Sequence, residues 1–467
     1  MKRSQHDPVV YIGACDTYDR KRLQEIINQG MTELGFSPKG NLYVKPNVVF
    51  AYNPRAFGAH AFTHPDFVGA SLLALSQKNG VSRVDLGENS AMGFPTRLCF
   101  KHAGYYEKLK ELQQEKAAPV SMFCIDEEPR DKLFVGGTVH DTLRVTRKMA
   151  QADFKIYLPK LKSHCVSGMT GAVKLNIGIC SDDERAIRHD FLLNEKIADL
   201  LTVGYPDLII MDAIEVGVGN EAFPSPRKLG LVIMGTNPIA VDMVGARLLG
   251  VGLDQIPYLK AAISRGYGPG DIGEIILKGA VTTAEALDTW AAKLLPHDEE
   301  FHRWQDIEKE LTRLNSPMRF FWGPCHSGHG DRCLTGCVMG LKMFLSAMEK
   351  LNGSSAFSKA NPVVFVIGDY NEPIDAHGEE VFLLGSCSKA SITRAKKIIR
   401  IDKCFTTAAD MNLSIGHRLG LKSLTLDFRF MFDFIVTLHQ ASARKLISGR
   451  YIQDIWYFMT HGLLKRI

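Results

Sequence analysis

The sequence predicts an α/β protein: a mostly parallel sheet with flanking helices, a second and smaller cysteine-rich α/β domain, and a helical C-terminal tail. Three observations carry this expectation. Short apolar runs alternate with helix-spaced segments over about the first 280 residues. Glycine and cysteine then become dense in FWGPCHSGHGDRCLTGCVMG, residues 321 to 340. The last stretch, DFRFMFDFIVTLHQ followed by IWYFM, is crowded with aromatic residues.

The predicted strands run in order through residues 9–14, 41–46, 83–88, 120–125, 154–160, 207–213 and 229–235. Several are apolar at successive positions, as strands covered on both faces should be. Helical spacing separates them. Leu23, Ile26, Ile27, Met31 and Leu34 follow Asp19, and Phe67, Val68, Leu72 and Leu75 follow Pro65. The expected organisation is an α/β domain over 1–280, a helical connector over 281–320, a cysteine-rich α/β domain over 321–423 and an aromatic helical tail over 424–467. In the connector, Trp290 and Trp304 are the expected docking points. Predicted strands 363–368, 381–387 and 396–404 build the second domain.

Composition narrows the function classes. Hydrophobic residues make up 45% and charged residues 23% of 467 positions, which is globular rather than disordered. The net charge of +5 is spread along the chain, so no nucleic-acid partner is expected, while anionic small molecules remain open. No secretory signal or spanning stretch is read in the sequence, so the expected location is the cytoplasm. There ten cysteines are core fillers, ligands or reactive thiols rather than a disulfide framework. No glycine fingerprint for a dinucleotide and no phosphate-cradling loop appear.

The segment LPKLKSHCVSGMTGAVKLNIG, 158–178, follows a strand and so lies where open α/β sheets place ligands. Lys160, Lys162, His164 and Lys174 suit an anionic ligand, and Gly168, Gly171 and Gly178 are expected to let backbone approach it. The bland alternative is a solvated basic loop. The predicted catalytic set is Lys160, Lys162, His164, Lys174 and His64. The predicted substrate-binding set is Lys45, Asn47, Glu88, Asn176 and Asp212, mostly at other strand ends. Asn237 and Asp242 in GTNPIAVD, and Thr63 as a helix cap, belong to the same edge.

The series VKPNVVF, THP, GENS, LPKLKSHCVSGMTGAVKLNIG and GTNPIAVD resembles the domain-of-unknown-function family 362, over roughly residues 9 to 280. That resemblance implies an association with iron–sulfur clusters, although the family's attached ferredoxin cassette is missing from this sequence. The pocket also resembles, more loosely, that of nickel-pincer lactate racemases. This second resemblance implies Lys174 on a cofactor, and His64 or His164 as acid and base.

Cys325, Cys333, Cys337, Cys387 and Cys404 fall within 80 residues. Cys333 and Cys337 are expected on one helix face, and Cys387 and Cys404 at strand ends. Three readings stand: a four-cysteine iron–sulfur cluster of the 4Fe-4S type, a zinc site drawing on His326 or His329, or buried inert thiols. The leading functional expectation is an iron–sulfur oxidoreductase or electron-transfer protein acting on an anionic small molecule, with a redox partner protein. The alternatives are a redox-neutral racemase or isomerase with a structural metal site, and a non-catalytic assembly protein. The tail is expected to dock on the domain, to join two copies of the chain, or to touch a membrane surface.

Overall fold

A computed structural model describes residues 7–53, 57–58, 60–295, 297–325, 333 and 335–461, with side chains through 455. The strands, in chain order, are β1 (Val9–Ala14), β2 (Gly40–Pro46), β3 (Val81–Glu88), β4 (Val120–Cys124), β5 (Arg130–Phe134), β6 (Thr142–Thr146), β7 (Phe154–Leu158) and β8 (Lys160–His164). They continue as β9 (Gly168–Thr170), β10 (Leu208–Val218), β11 (Ser225–Gly235), β12 (Ile276–Gly279), β13 (Arg319–Trp322), β14 (Val363–Asp375), β15 (Glu380–Thr393) and β16 (Lys397–Ile401).

The large sheet has the order β12-β1-β11-β10-β7-β2-β3-β4, with β8 attached to β10 and β9 to β8. It is mixed and mostly parallel. The exceptions are β11, antiparallel to both β1 and β10, and the β8–β9 hairpin. The apolar runs explain this centre. Residues 208–214 and 229–235 are buried without interruption, because helices cover both faces. A second, four-stranded sheet is parallel throughout, β13-β14-β15-β16.

The lysine segment differs from the expected loop. Lys160 to His164 form a buried strand whose backbone pairs with β10, Lys160 opposite Asp212 and Lys162 opposite Gly217. The helix expected to carry Cys333 begins only at Cys337 and runs to Asn352. Gly336, at positive φ, precedes it, and a side chain there would strike the Cys404 carbonyl. Trp304 docks on this helix, its indole donating to Glu349 at 2.8 Å.

The tail is two helices, Phe428–Ile447 and Arg450–His461. Phe430 is buried against Tyr52 and Phe94, and Asp433 bonds Lys101 and His102 at 2.8 and 3.1 Å. Its other face is open, with Phe428 82% exposed. Among the described residues, no helix is long and apolar enough to cross a membrane.

Candidate functional site

The expected site residues divide into two groups. The first surrounds Asp212 on β10. Lys160 reaches its carboxylate at 2.9 Å and the Tyr18 hydroxyl at 3.0 Å, and Tyr18 donates to the same carboxylate at 3.1 Å. The His64 ring lies flat on Tyr18, centroids 3.7 Å apart, and its backbone N–H also donates to Asp212. His64, rather than Thr63, caps the helix Pro65–Ser76, accepting from the Asp66 N–H. Thr63 instead donates to the Leu158 carbonyl at 2.6 Å.

The second group lines a cavity of about 120 Å³. Its inner wall holds Lys45, Glu88, His164, Lys174, His189 and Glu221. Lys45 and Glu88 form a buried ion pair across the carboxyl ends of β2 and β3. Burial pulls the lysine down and pushes the carboxylate up, and each partner opposes the other's shift. Arg185 is held by the backbone carbonyls of Asn89 and Ser90.

Lys174 opens the short helical turn Lys174–Ile179. The turn is fixed from outside: Asp242 accepts the Ala172 and Val173 N–H groups at 2.6 and 3.0 Å. Among the described residues, no hydrogen bond or ion pair holds the Lys174 ammonium. Burial lowers it to about 8, despite the attraction of Glu221. Lys162, by contrast, does not line this cavity. It donates to the carbonyls of Ala61 and Glu221 at 2.5 and 2.7 Å, a strut between two loops, and burial lowers it to about 7. Asn176 is likewise internal, bonded to the Tyr157 hydroxyl and the Val173 carbonyl.

Five buried polar atoms of cavity-lining residues have no hydrogen-bond partner among the described residues: Asn47 Oδ1, Ser90 Oγ, Thr170 Oγ1, Arg185 Nε and His189 Nδ1. Orphaned polar atoms are rare in folded interiors, and five around one cavity point to where a ligand's polar groups fit.

Glu221 was not anticipated. It accepts from the Cys165 thiol at 3.1 Å and stands 3.4 Å from His164 Nε2. His164 Nδ1 accepts the N–H groups of Val166 and Ser167, so Nε2 carries the ring proton toward Glu221. Burial lowers His164 to about 3, keeping it neutral. Burial alone would raise Glu221, but His164, Lys174 and the Cys165 thiol outweigh it and hold the carboxylate at about 2. The sole sequence signal for this residue was an acid set in the otherwise apolar, glycine-rich run VGVGNEAF.

His164, Cys165 and Glu221 are also the group of metal-ligating side chains whose ligand atoms all lie within 4.8 Å of one another, among the described residues. This corrects the cysteine expectation: Cys325, Cys333, Cys337, Cys387 and Cys404 do not form such a group. Cys337 Sγ is engaged with the Lys403 and Cys404 carbonyls at 3.3 and 3.0 Å. The Cys404 thiol turns toward Asp190, and Cys325 Sγ accepts the Cys333 N–H. The 4Fe-4S cluster and the zinc alternative are therefore withdrawn. His326 and His329 lie outside the described residues.

The three glycines expected to admit a ligand admit the protein itself. A side-chain carbon at Gly171 would strike Asp242, at Gly178 Lys45 and Glu88, and at Gly168 the Gln255 carbonyl.

Residues 42–247 match the model of a family described as a domain of unknown function, DUF362. The matched segment carries Lys45, Glu88, the β8–β9 hairpin, Lys174 and Glu221. The chain is 26% identical over 239 residues to the thylakoid-associated protein sll1697 of Synechocystis sp., covering 50% of this chain and 70% of that one. Among solved structures it is similar to the lactate racemase apoprotein from Thermoanaerobacterium thermosaccharolyticum. Identity there is 14% and the TM-score 0.32, covering 52% of this chain and 57% of that chain, a little over half its length.

Proposed function

We propose that the DUF362 segment and the C-terminal part together form a redox-neutral isomerase or racemase for an anionic small molecule. The observation that carries this reading is Lys174: among the described residues a cation with no direct hydrogen bond or ion pair, lining a cavity whose wall also bears orphaned polar atoms. A carboxylate placed there gains a charge-assisted hydrogen bond in a site poor in water. With its pKa near 8, Lys174 is poised to take and return a proton close to neutral pH. Removal of a proton from the carbon beside the carboxylate and its return to the opposite face needs no electron donor. Neutral His164, on the same wall, is the second proton-handling group. Lys160, His64 and Asp212 serve the neighbouring cluster, which orients β8.

A second reading takes His164 out of proton handling and leaves that to Lys174: His164, Cys165 and Glu221 hold a single divalent first-row transition ion with a structural role. The donor set of one nitrogen, one sulfur and one oxygen suits such an ion. Loading would displace the thiol proton and the Nε2 proton that Glu221 now accepts, so uptake should rise with pH. Metal analysis after equilibration with divalent ions at pH 6 and pH 8.5 tests it. Equal, negligible uptake at both, or uptake undiminished in Glu221→Gln, would remove the ion from the account.

The proton-transfer reading is tested by nuclear magnetic resonance in deuterated water, with a panel of hydroxy- and amino-carboxylates and no electron donor. Deuterium should enter at the carbon bearing the carboxylate, and Lys174→Met should stop it. A protein that binds these carboxylates yet exchanges none of them is not an isomerase of this kind.

A further inference from the structure

The cavity is not lined by polar groups alone. Beside Lys174 and His164 its wall includes the apolar side chains of Val48, Met92, Phe94, Met339, Met343 and Phe405. A site meant for a small, fully polar acid has no use for such a wall, since hydroxyls turned toward it would lose their water without compensation.

The apolar lining continues. A second, smaller chamber of about 30 Å³ lies next to the first, and Ala91, Phe94, Met343 and Ala408 belong to both walls. It is lined almost entirely by carbon, with Phe50, Phe223, Phe344 and Leu424 around it and Asn412 as its one polar side chain among the described residues. Phe50 packs edge-on to Phe94 at 5.0 Å and to Phe223 at 5.5 Å, so the aromatic part of the wall is fixed. Met343 and Ala347 project from the helix Cys337–Asn352 on the other side. Methionine at the shared wall is the adaptable element, because an unbranched thioether re-packs easily around an inserted chain.

We infer that the natural ligand is amphiphilic: a carboxylate or similar anion joined to an extended hydrocarbon or aromatic body, its head at Lys174 and its body along the Phe94–Met343 wall into the second chamber. This rests on the Lys174 reading for the head and on the two chambers for the body. Each part is tested separately.

The probe is a series of straight-chain carboxylates from acetate to decanoate, kept below their aggregation concentrations, titrated into the full chain by calorimetry. Burying each added methylene should tighten binding about fourfold until the second chamber is full. Ala347→Trp, which fills that chamber, should make the rise stop at a shorter chain. Affinity that stays flat from butanoate to decanoate in the wild-type protein would overturn the amphiphile and leave Lys174 as the receptor of a small anion. The converse outcome separates the two ideas. If Lys174→Met left carboxylate affinity unchanged while the chain-length rise persisted, the head would be misplaced and the apolar chambers would stand. If Ala347→Trp folded, by circular dichroism, and kept the full wild-type rise, the second chamber would not be where the body lies.

Discussion

Lys45 and Glu88 form an ion pair sealed from solvent at the carboxyl ends of adjacent strands β2 and β3. Neither charge is tolerable there alone. Either Lys45→Met or Glu88→Gln should cost about 3–5 kcal/mol in urea unfolding, because each strands a buried charge. The double change Lys45→Met with Glu88→Gln should recover most of that loss, since the amide oxygen can still accept a backbone N–H of Val48 or Asn89. A double variant as unstable as the sum of the singles would show that the two side chains act independently.

Lys174 sets a pH limit on anion binding. Its cation persists below about pH 8 and is lost above it, about two units earlier than for an ordinary lysine. Carboxylate affinity should therefore be level between pH 6 and 7.5 and fall about tenfold per unit above pH 8. Calorimetric titration of butanoate across that range reads the profile. A fall that begins only near pH 10 would contradict the burial argument.

Asp242 fixes the turn that carries Lys174, yet burial raises its carboxyl to about 7, more than its two backbone hydrogen bonds can offset. Unfolded, it ionises near 4, so the folded state binds the extra proton between about pH 4 and 7. Its contribution to stability is present at low pH and lost as pH rises through 7. Asp242→Asn should remove that slope from the difference between variant and wild-type unfolding free energies. It should also weaken butanoate binding, since an amide cannot accept from both the Ala172 and Val173 N–H groups without turning a donor toward one of them.

Among the C-terminal thiols, Cys333 stands apart. A hydrogen bond from Cys325 holds it down to about 6, whereas burial pushes Cys337 to about 11 and Cys404 to about 12. Iodoacetamide at pH 7 should label Cys333 first, ahead of Cys337 and the buried Cys180, in a peptide mass-spectrometric time course. Equal labelling rates would contradict the assignment.

Most strands of both sheets were legible, because continuous apolar runs such as 208–214 leave few alternatives to a covered strand, whereas β8, β9, β12 and β13, short or charged, were not. The direction of β11 was not, since an apolar run reads the same either way. The sequence pattern puts Lys160 at the end of the predicted strand 154–160 and Lys162 in a glycine-rich ligand loop after it, whereas both lie on the buried strand β8. Their partners, Asp212 and the carbonyls of Glu221 and Ala61, stand 52, 59 and 101 residues away, beyond any local pattern. Spacing put five cysteines into one constellation, while the structure gives the compact ligand group to Cys165 with His164 and a glutamate 56 residues later. The glycine-rich loop was legible as a place of close approach, but what comes close is Asp242, Lys45 and Glu88.

One tie crosses the chain. Lys342, on the helix Cys337–Asn352, donates to the Gln305 carbonyl at 2.6 Å and to the Cys165 carbonyl at 3.4 Å. The same helix supplies Met339, Gly340 and Met343 to the cavity. The stretch that matches the family model thus supplies only part of the hollow, and Met339, Gly340, Met343, Phe405, Thr407 and Ala408 from beyond it complete the wall. What the hollow accepts is set jointly by two stretches far apart in the chain, so exchanging the helix Cys337–Asn352 should change ligand preference without touching a single lysine of the inner wall.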